Sequence, residues 1–142
     1  MSNTKDVGIV SELKVLTELV SMGFVVSQPY GDNAPYDFIV DIEGKLLKVQ
    51  VKTCIEYSDG SLKISLSKRD GVKRIKRTPY YSLDIDAIIA YSRKYNQFFY
   101  IDLHKYQVQE ILLRPKSSIK IYMKTINIAE DFLLCNLLNK GI

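Results

Sequence analysis

Two runs rich in β-branched and apolar residues, 37–42 and 45–53, flank the pair Glu43-Gly44. No other stretch limits the fold so tightly, because a hairpin fixes which side chains meet. With a two-residue turn at Glu43-Gly44, Asp37 falls directly opposite Gln50 and the two side chains share a sheet face. Lys52, two positions further on, points to that same face. A four-residue loop centred on the same bond keeps the pairing. A three-residue loop with a bulge at Gly44 shifts it by one, and Lys52 then turns to the opposite face.

Around the hairpin the apolar period changes in a definite order. Ile9, Leu13, Leu16 and Val20 recur at helical spacing, so a helix is expected over residues 5–22, capped by Thr4, stopped by Gly23 and buried along that stripe. Residues 24–27 read as a short strand and 29–35 as a turn-rich connection. Residues 61–67 alternate Leu62, Ile64 and Leu66 with polar side chains, as an amphipathic strand does. Residues 68–83 are strongly charged without a clear period, which reads as a long loop. Residues 85–91 and 98–101 form two more strands; 106–113 fits helix or strand, and 119–123 alternates as a strand. Asn127 is placed to cap a final helix to about residue 139. With no repeat, low-complexity tract or linker, one domain over residues 1–142 is expected. Its class is α+β, a mixed sheet with the first and last helices packed on it.

Composition matters for what it excludes. The chain of 142 residues is 46% apolar with few Gly and Pro, which favours one buried core over disorder. Cys54 and Cys135 are too few for a disulfide framework and lie in no C-x-x-C or Cys/His cluster. With His104 the single histidine, a zinc site or a Ser-His-Asp triad lacks its parts, so hydrolysis would rest on carboxylates. The first ten residues resemble no signal peptide, and no segment reaches the roughly 20 apolar residues of a membrane span. A reduced, cytoplasmic protein is the expectation. The net charge of +4 permits a polyanionic partner without demanding one.

Asp37 and the amide oxygen of Gln50 are hard donors of the kind Mg²⁺ accepts while keeping positions for water and phosphate. The backbone carbonyl of Val51 offers a further oxygen. Lys52 beside them suits the orientation of an attacking water, or the stabilisation of charge on a pentacovalent phosphate. By themselves, an Asp opening one strand and a Lys ending another more often make a solvated rim. Glu12 adds weight to a site. It flanks the helical stripe together with Val15 and Leu19, and a carboxylate at the edge of a buried face needs a partner: a metal, Lys52, or simply Lys14.

In this order and spacing the residues resemble a known family. Gly8-x-x-x-Glu12, the helix end Met22-Gly23-Phe24, the run Pro29-Tyr30-Gly31-Asp32-Asn33-Ala34-Pro35-Tyr36-Asp37-Phe38 and the run Lys48-Val49-Gln50-Val51-Lys52-Thr53 look like the PD-(D/E)XK nuclease superfamily. More narrowly, they resemble its small homing endonucleases encoded in group I introns. Archaeal Holliday-junction resolvases share the arrangement. The resemblance covers about the first 55 residues and is loose beyond them. It implies a restriction-endonuclease-like mixed sheet flanked by helices. It also implies a Mg²⁺- or Mn²⁺-dependent, sequence-specific endonuclease acting on double-stranded DNA. A junction-selective nuclease and a decayed DNA-binding module are the alternatives. By this resemblance Glu12 is the first-helix acid, Asp37 the metal-binding Asp and Lys52 the motif lysine. Gln50 stands where most members carry Glu or Asp, and the intron-encoded group is similar in carrying Gln. The metal set would be Asp37, Gln50 and the Val51 carbonyl, with one negative charge fewer and hence weaker affinity for the ion.

Lys68, Arg69, Lys73, Arg74, Lys76 and Arg77 gather within one short stretch, opposed only by Asp70. They are placed to neutralise phosphates or read guanine edges, the plain alternative being a solvated loop. Lys120 and Lys124, sharing a face with Tyr122 on the expected strand, are a second candidate DNA contact or the wet face of an edge strand. One metal centre ordinarily cuts one strand, so a double-strand break calls for a homodimer or homotetramer. The apolar residues Ile128, Phe132, Leu133, Leu134, Leu137 and Leu138 are numerous enough to serve both core and interface.

Overall fold

The structure, a computed structural model, describes residues 3–70 and 76–140. It opens with helix α1, Thr4–Ser21, whose cap is Asn3 rather than Thr4: Asn3 Oδ1 accepts from the Asp6 N–H at 3.1 Å. At its other end the Gly23 N–H bonds Val20 O and the Phe24 N–H bonds Leu19 O, with Gly23 at φ 94°. Glycine alone adopts that backbone without strain, so the helix stops where the sequence said it would.

The buried face of α1 is not the expected one. Ser11, Val15 and Leu19 pack inward, whereas Ile9, Leu13 and Val20 remain more than half exposed. Apolar residues lie on two sides of this helix, and periodicity alone cannot choose between them. The sheet takes the row containing the small Ser11, whose hydroxyl lies 2.6 Å from Thr53 Oγ1 and pins the helix to the sheet.

The strands follow in chain order: β1 Val25–Ser27, β2 Phe38–Ile42, β3 Lys45–Thr53, β4 Ile55–Glu56, β5 Leu62–Ser65, β6 Ser67–Asp70 and β7 Lys76–Pro79. After them come β8 Ala87–Ser92, β9 Gln97–Asp102, β10 Glu110–Arg114 and β11 Asn127–Ile128. One sheet has the order β1-β2-β3-β8-β9, with β3 and β8 parallel and the other pairs antiparallel. A second sheet, β11-β10-β5-β4, packs on the face opposite α1. Between α1 and the first sheet lie Val15, Leu19, Val40, Val49, Val51 and Ile89. Between the two sheets lie Ile88, Ala90, Phe99, Ile64, Leu66 and Leu113. Strand β8, buried at every residue, sits in the middle as a parallel strand covered on both faces must.

Three further elements differ from expectation. Residues 68–83 are not a long loop: β6 and β7 pair antiparallel as a two-stranded ribbon, and Tyr80–Leu83 forms a 3₁₀ turn. Residues 119–123 are not a strand. A 3₁₀ turn at Lys116–Ser118 leads into a tight turn in which the Met123 N–H bonds Lys120 O, and Ile121 is fully exposed. Alternation there meets no partner strand. The final helix from Asn127 is replaced by β11, 3₁₀ turns at Ala129–Phe132 and Leu134–Asn136, and a short α2, Leu137–Lys140. The class remains α+β with a mixed sheet core, but one long helix covers it and the second sheet does what a last helix was expected to do. Among the described residues no helix is long and apolar enough to cross a membrane.

Candidate active site

Glu43 and Gly44 both take positive φ, 53° and 85°, the signature of a two-residue type I′ turn. The Gly44 N–H donates to Asp41 Oδ1 at 2.8 Å and steadies it. The ladder therefore runs from Ile42 opposite Lys45 to Phe38 opposite Val49, which is the register expected from the two-residue turn. Leu47, Val49 and Val51 face α1, so Gln50 and Lys52 alternate to the other side, and Asp37 falls on their side of the pairing.

At Asp37 the two strands part. The Asp37 N–H still bonds Val49 O at 2.9 Å, but the next free donor on β3, the Val51 N–H, is taken by the Asp37 side chain, Oδ2 at 2.8 Å. The aspartate thus closes the end of the ladder, and that bond fixes its carboxylate. Glu12, Asp37, Gln50 and Val51 line one cleft of about 420 Å³, together with Gly8 and Ile9 of α1. Glu12 and Asp37 also border a second hollow under Pro29, Gly31 and Asp32, the turn-rich connection.

Electrostatics mark this opening. Burial, then a hydrogen bond with Asp37 and its negative charge, push the Glu12 carboxyl up to about 7. Burial lowers Lys52, and the Asp37 charge opposes that shift. The Lys52 ammonium lies 4.9 Å from the centroid of the Tyr80 ring, a contact that no motif or period in the sequence signals. Gln50 sets Nε2 3.5 Å from Val51 O, so its amide lies beside the carbonyl that would join it in holding a cation.

The donor set fits a hard divalent cation. Glu12 and Asp37 share a hydrogen bond, and Gln50 and Val51 line the same cleft. A hard divalent cation held there through an incomplete protein shell would need Gln50 to turn its amide oxygen inward in place of the Nε2 that now donates to Val51 O. Among the described residues no three His, Cys, Asp or Glu side chains gather in one place, so a cation held here would also have to draw on the oxygens of Gln50 and Val51.

The basic residues divide. Lys68, Arg69, Lys76 and Arg77 stand on the β6–β7 ribbon, with Arg69 directly opposite Arg77 and Arg77 Nε bonded to Ser67 Oγ at 3.1 Å. Lys73 and Arg74 lie outside the described residues. Lys120 and Lys124 are exposed in the turn after Lys116–Ser118, so the strand face expected to carry them with Tyr122 does not form. His104 pairs with Asp86, Nε2 to Oδ1 at 2.8 Å, away from the cleft.

Known proteins place the chain. A model of the PD-(D/E)XK endonucleases matches residues 2–135. A bacterial homing endonuclease, I-Ssp6803I, superposes with a TM-score of 0.75 at 26% identity, over 97% of this chain and 93% of that one. Hjc, a Holliday junction resolvase of Archaeoglobus fulgidus, superposes with a TM-score of 0.52 at 13% identity, over 95% and 98%. No curated protein matches. The family match runs from ahead of α1 past the 3₁₀ turn at Ala129–Phe132, well beyond the hairpin and the helix, and the chain belongs to the PD-(D/E)XK endonucleases.

Proposed function

We propose that the protein is a homing-type endonuclease that cuts both strands of a specific DNA sequence, with Mg²⁺ as its metal and Mn²⁺ as a substitute. One observation carries this reading: Glu12, Asp37, Gln50 and Val51 line a single cleft, with Lys52 on the sheet face shared by Asp37 and Gln50. The likeness to a homing endonuclease at 26% identity favours that class over a junction resolvase, for which 13% identity speaks to fold alone.

PD-(D/E)XK nucleases generally use divalent metal ions, and here Asp37, Gln50 and the Val51 carbonyl would hold one, with Glu12 alongside. Such an ion supplies Lewis acidity to the phosphodiester and lowers the pKa of water. Asp37 is kept in place for this by its bond to the Val51 N–H. Glu12, beside Asp37 at the cleft, is placed for proton transfer with the attacking water; its carboxyl is raised to about 7 without metal, and a bound cation would bring it down. Lys52 brings positive charge to the phosphate as negative charge builds there.

The test is cleavage of a library of linear duplexes and of synthetic four-way junctions with Mg²⁺. Asp37→Asn, which keeps an acceptor for Val51, and Lys52→Ala should each lower the cleavage rate by roughly 10²-fold or more while DNA affinity holds. Gln50→Glu should retain activity with tighter metal binding. Undiminished cleavage by Asp37→Asn or Lys52→Ala rejects the mechanism. Cutting of junctions alone selects the junction-directed alternative, and no cutting under any condition selects the decayed module.

A further inference from the structure

We propose that Tyr80 is a positioning residue for Lys52: the face of its ring holds the ammonium beside the cleft and leaves the N–H donors free for the scissile phosphate. The inference rests on the nuclease reading of Lys52 and adds a residue that neither the motif nor the family match assigns.

Tyr80 is 4% exposed and belongs to the core between the two sheets. Its N–H bonds Leu66 O at 3.0 Å, and it opens the 3₁₀ turn Tyr80–Leu83 directly after β7. The ring is therefore a fixed surface. Lys52 reaches it from β3, with Nζ 4.9 Å from the ring centroid. The other lysine–tyrosine contacts among the described residues, made by Lys48, Lys94 and Lys105, are longer at 5.9, 5.4 and 5.4 Å, and none meets a buried ring.

The chemistry explains why a ring serves better than a carboxylate. Lysine carries about 2 kcal/mol of rotamer entropy, so a flexible ammonium needs a contact to stay in place. A salt bridge to Asp37 would hold it, but would spend its donors and its charge before the phosphate arrives. Among the described residues Lys52 makes no ion pair, and Asp37 attracts it from longer range. The negative face of an aromatic ring attracts a cation without accepting one of its N–H bonds in line. Tyr80 is also rooted at the base of the basic ribbon, so the element that would grip DNA carries the surface that sets Lys52.

The full-length chain is tested with Tyr80→Leu, Tyr80→Phe, a trifluorinated phenylalanine at position 80, and Ile64→Val as a control in the same core. Without DNA, the Lys52 ε-methylene proton signal should lie upfield, under the ring current, in the wild type and in Tyr80→Phe, and return to an ordinary lysine position in Tyr80→Leu. With DNA and Mg²⁺, Tyr80→Leu should lose about three- to thirtyfold in single-turnover rate at an unchanged Kd. Tyr80→Phe should restore the rate. The fluorinated ring, equal in shape but with a weakened negative face, should resemble Tyr80→Leu and keeps the test alive if that variant does not fold. Ile64→Val should cut as the wild type does. A Lys52-dependent rate indifferent to the ring, a Tyr80→Phe rate as low as that of Tyr80→Leu, or a Lys52 signal unmoved in Tyr80→Leu overturns the proposal. Full cleavage by Lys52→Ala overturns the nuclease reading of that residue and the proposal with it.

Discussion

Burial first, and then the neighbouring Asp37, make a negative charge on Glu12 costly, and that shows in stability as well as chemistry. An unfolded glutamate ionises near 4.5, whereas Glu12 in the fold holds its proton up to about 7. Below 4.5 both states are protonated and the fold carries no penalty. As pH rises from 4.5 through 7 the unfolded chain releases the proton first, so stability falls and the full cost is present above 7. Glu12→Gln removes that cost. Without metal, the variant should melt at the wild-type temperature near pH 4 and above it near pH 8, and Mg²⁺ at about pH 8 should raise the wild-type Tm more than the variant's. A Tm difference that stays constant across this range rejects the account. At this scale the sequence was partly readable. The period of two and the chemistry of the turn put Asp37, Gln50 and Lys52 on one face, because these are local rules. Tyr80 was invisible, since its meeting with Lys52 depends on how a ribbon distant in sequence folds back onto β3.

Among the elements, those specified by local chemistry were legible and those specified by partners were not. The type I′ turn needs positive φ at two residues, and Glu-Gly with apolar strands on both sides supplies it. The ribbon β6–β7 is not legible in the sequence because its strand positions are charged or polar apart from Pro79, and no apolar period survives. The alternation in residues 119–123 was misleading for the opposite reason: the pattern is there, but no neighbouring edge receives it. The ribbon nonetheless carries its own physical signal. Directly opposed like charges destabilise a strand pair, yet Arg69 faces Arg77 and neither is ion-paired among the described residues. Such a pair is relieved by a polyanion. Replacing Lys68 and Lys76 with Ala should lower affinity for all DNA sequences alike and reduce the slope of log affinity against log salt by about two. Replacing Arg77, held in orientation by Ser67, should instead cost about 1–3 kcal/mol on the true target and little elsewhere if it reads a guanine edge. Unchanged affinity and slope in every variant would leave the ribbon a solvated surface.

For the whole molecule, the α+β class and the mixed sheet were legible, while the means of covering the sheet were not. The C-terminal apolar run was expected to serve core and interface together: Phe132 and Leu134 lie inside the fold, whereas Leu138 stays more than half exposed. The number of copies is tested through chemistry. Each chain carries one candidate cleft lined by Glu12, Asp37 and Gln50, with Lys52 on the sheet face that Asp37 and Gln50 share. The two strands of a duplex run antiparallel, so cutting both within one binding event needs two such clefts related by a two-fold axis. Mixing wild type with a threefold excess of Lys52→Ala chains, refolded together, puts most active chains beside an inactive partner. On a supercoiled plasmid bearing one target, the mixture should accumulate nicked circles where the wild type alone gives linear DNA. The first cut should keep its rate per active chain. A monomer that cuts the strands in two independent visits predicts otherwise: the inactive chains would compete for the site and slow both cuts equally, with the ratio of nicked to linear product unchanged. That ratio decides whether the double-strand break belongs to an assembly or to a single chain.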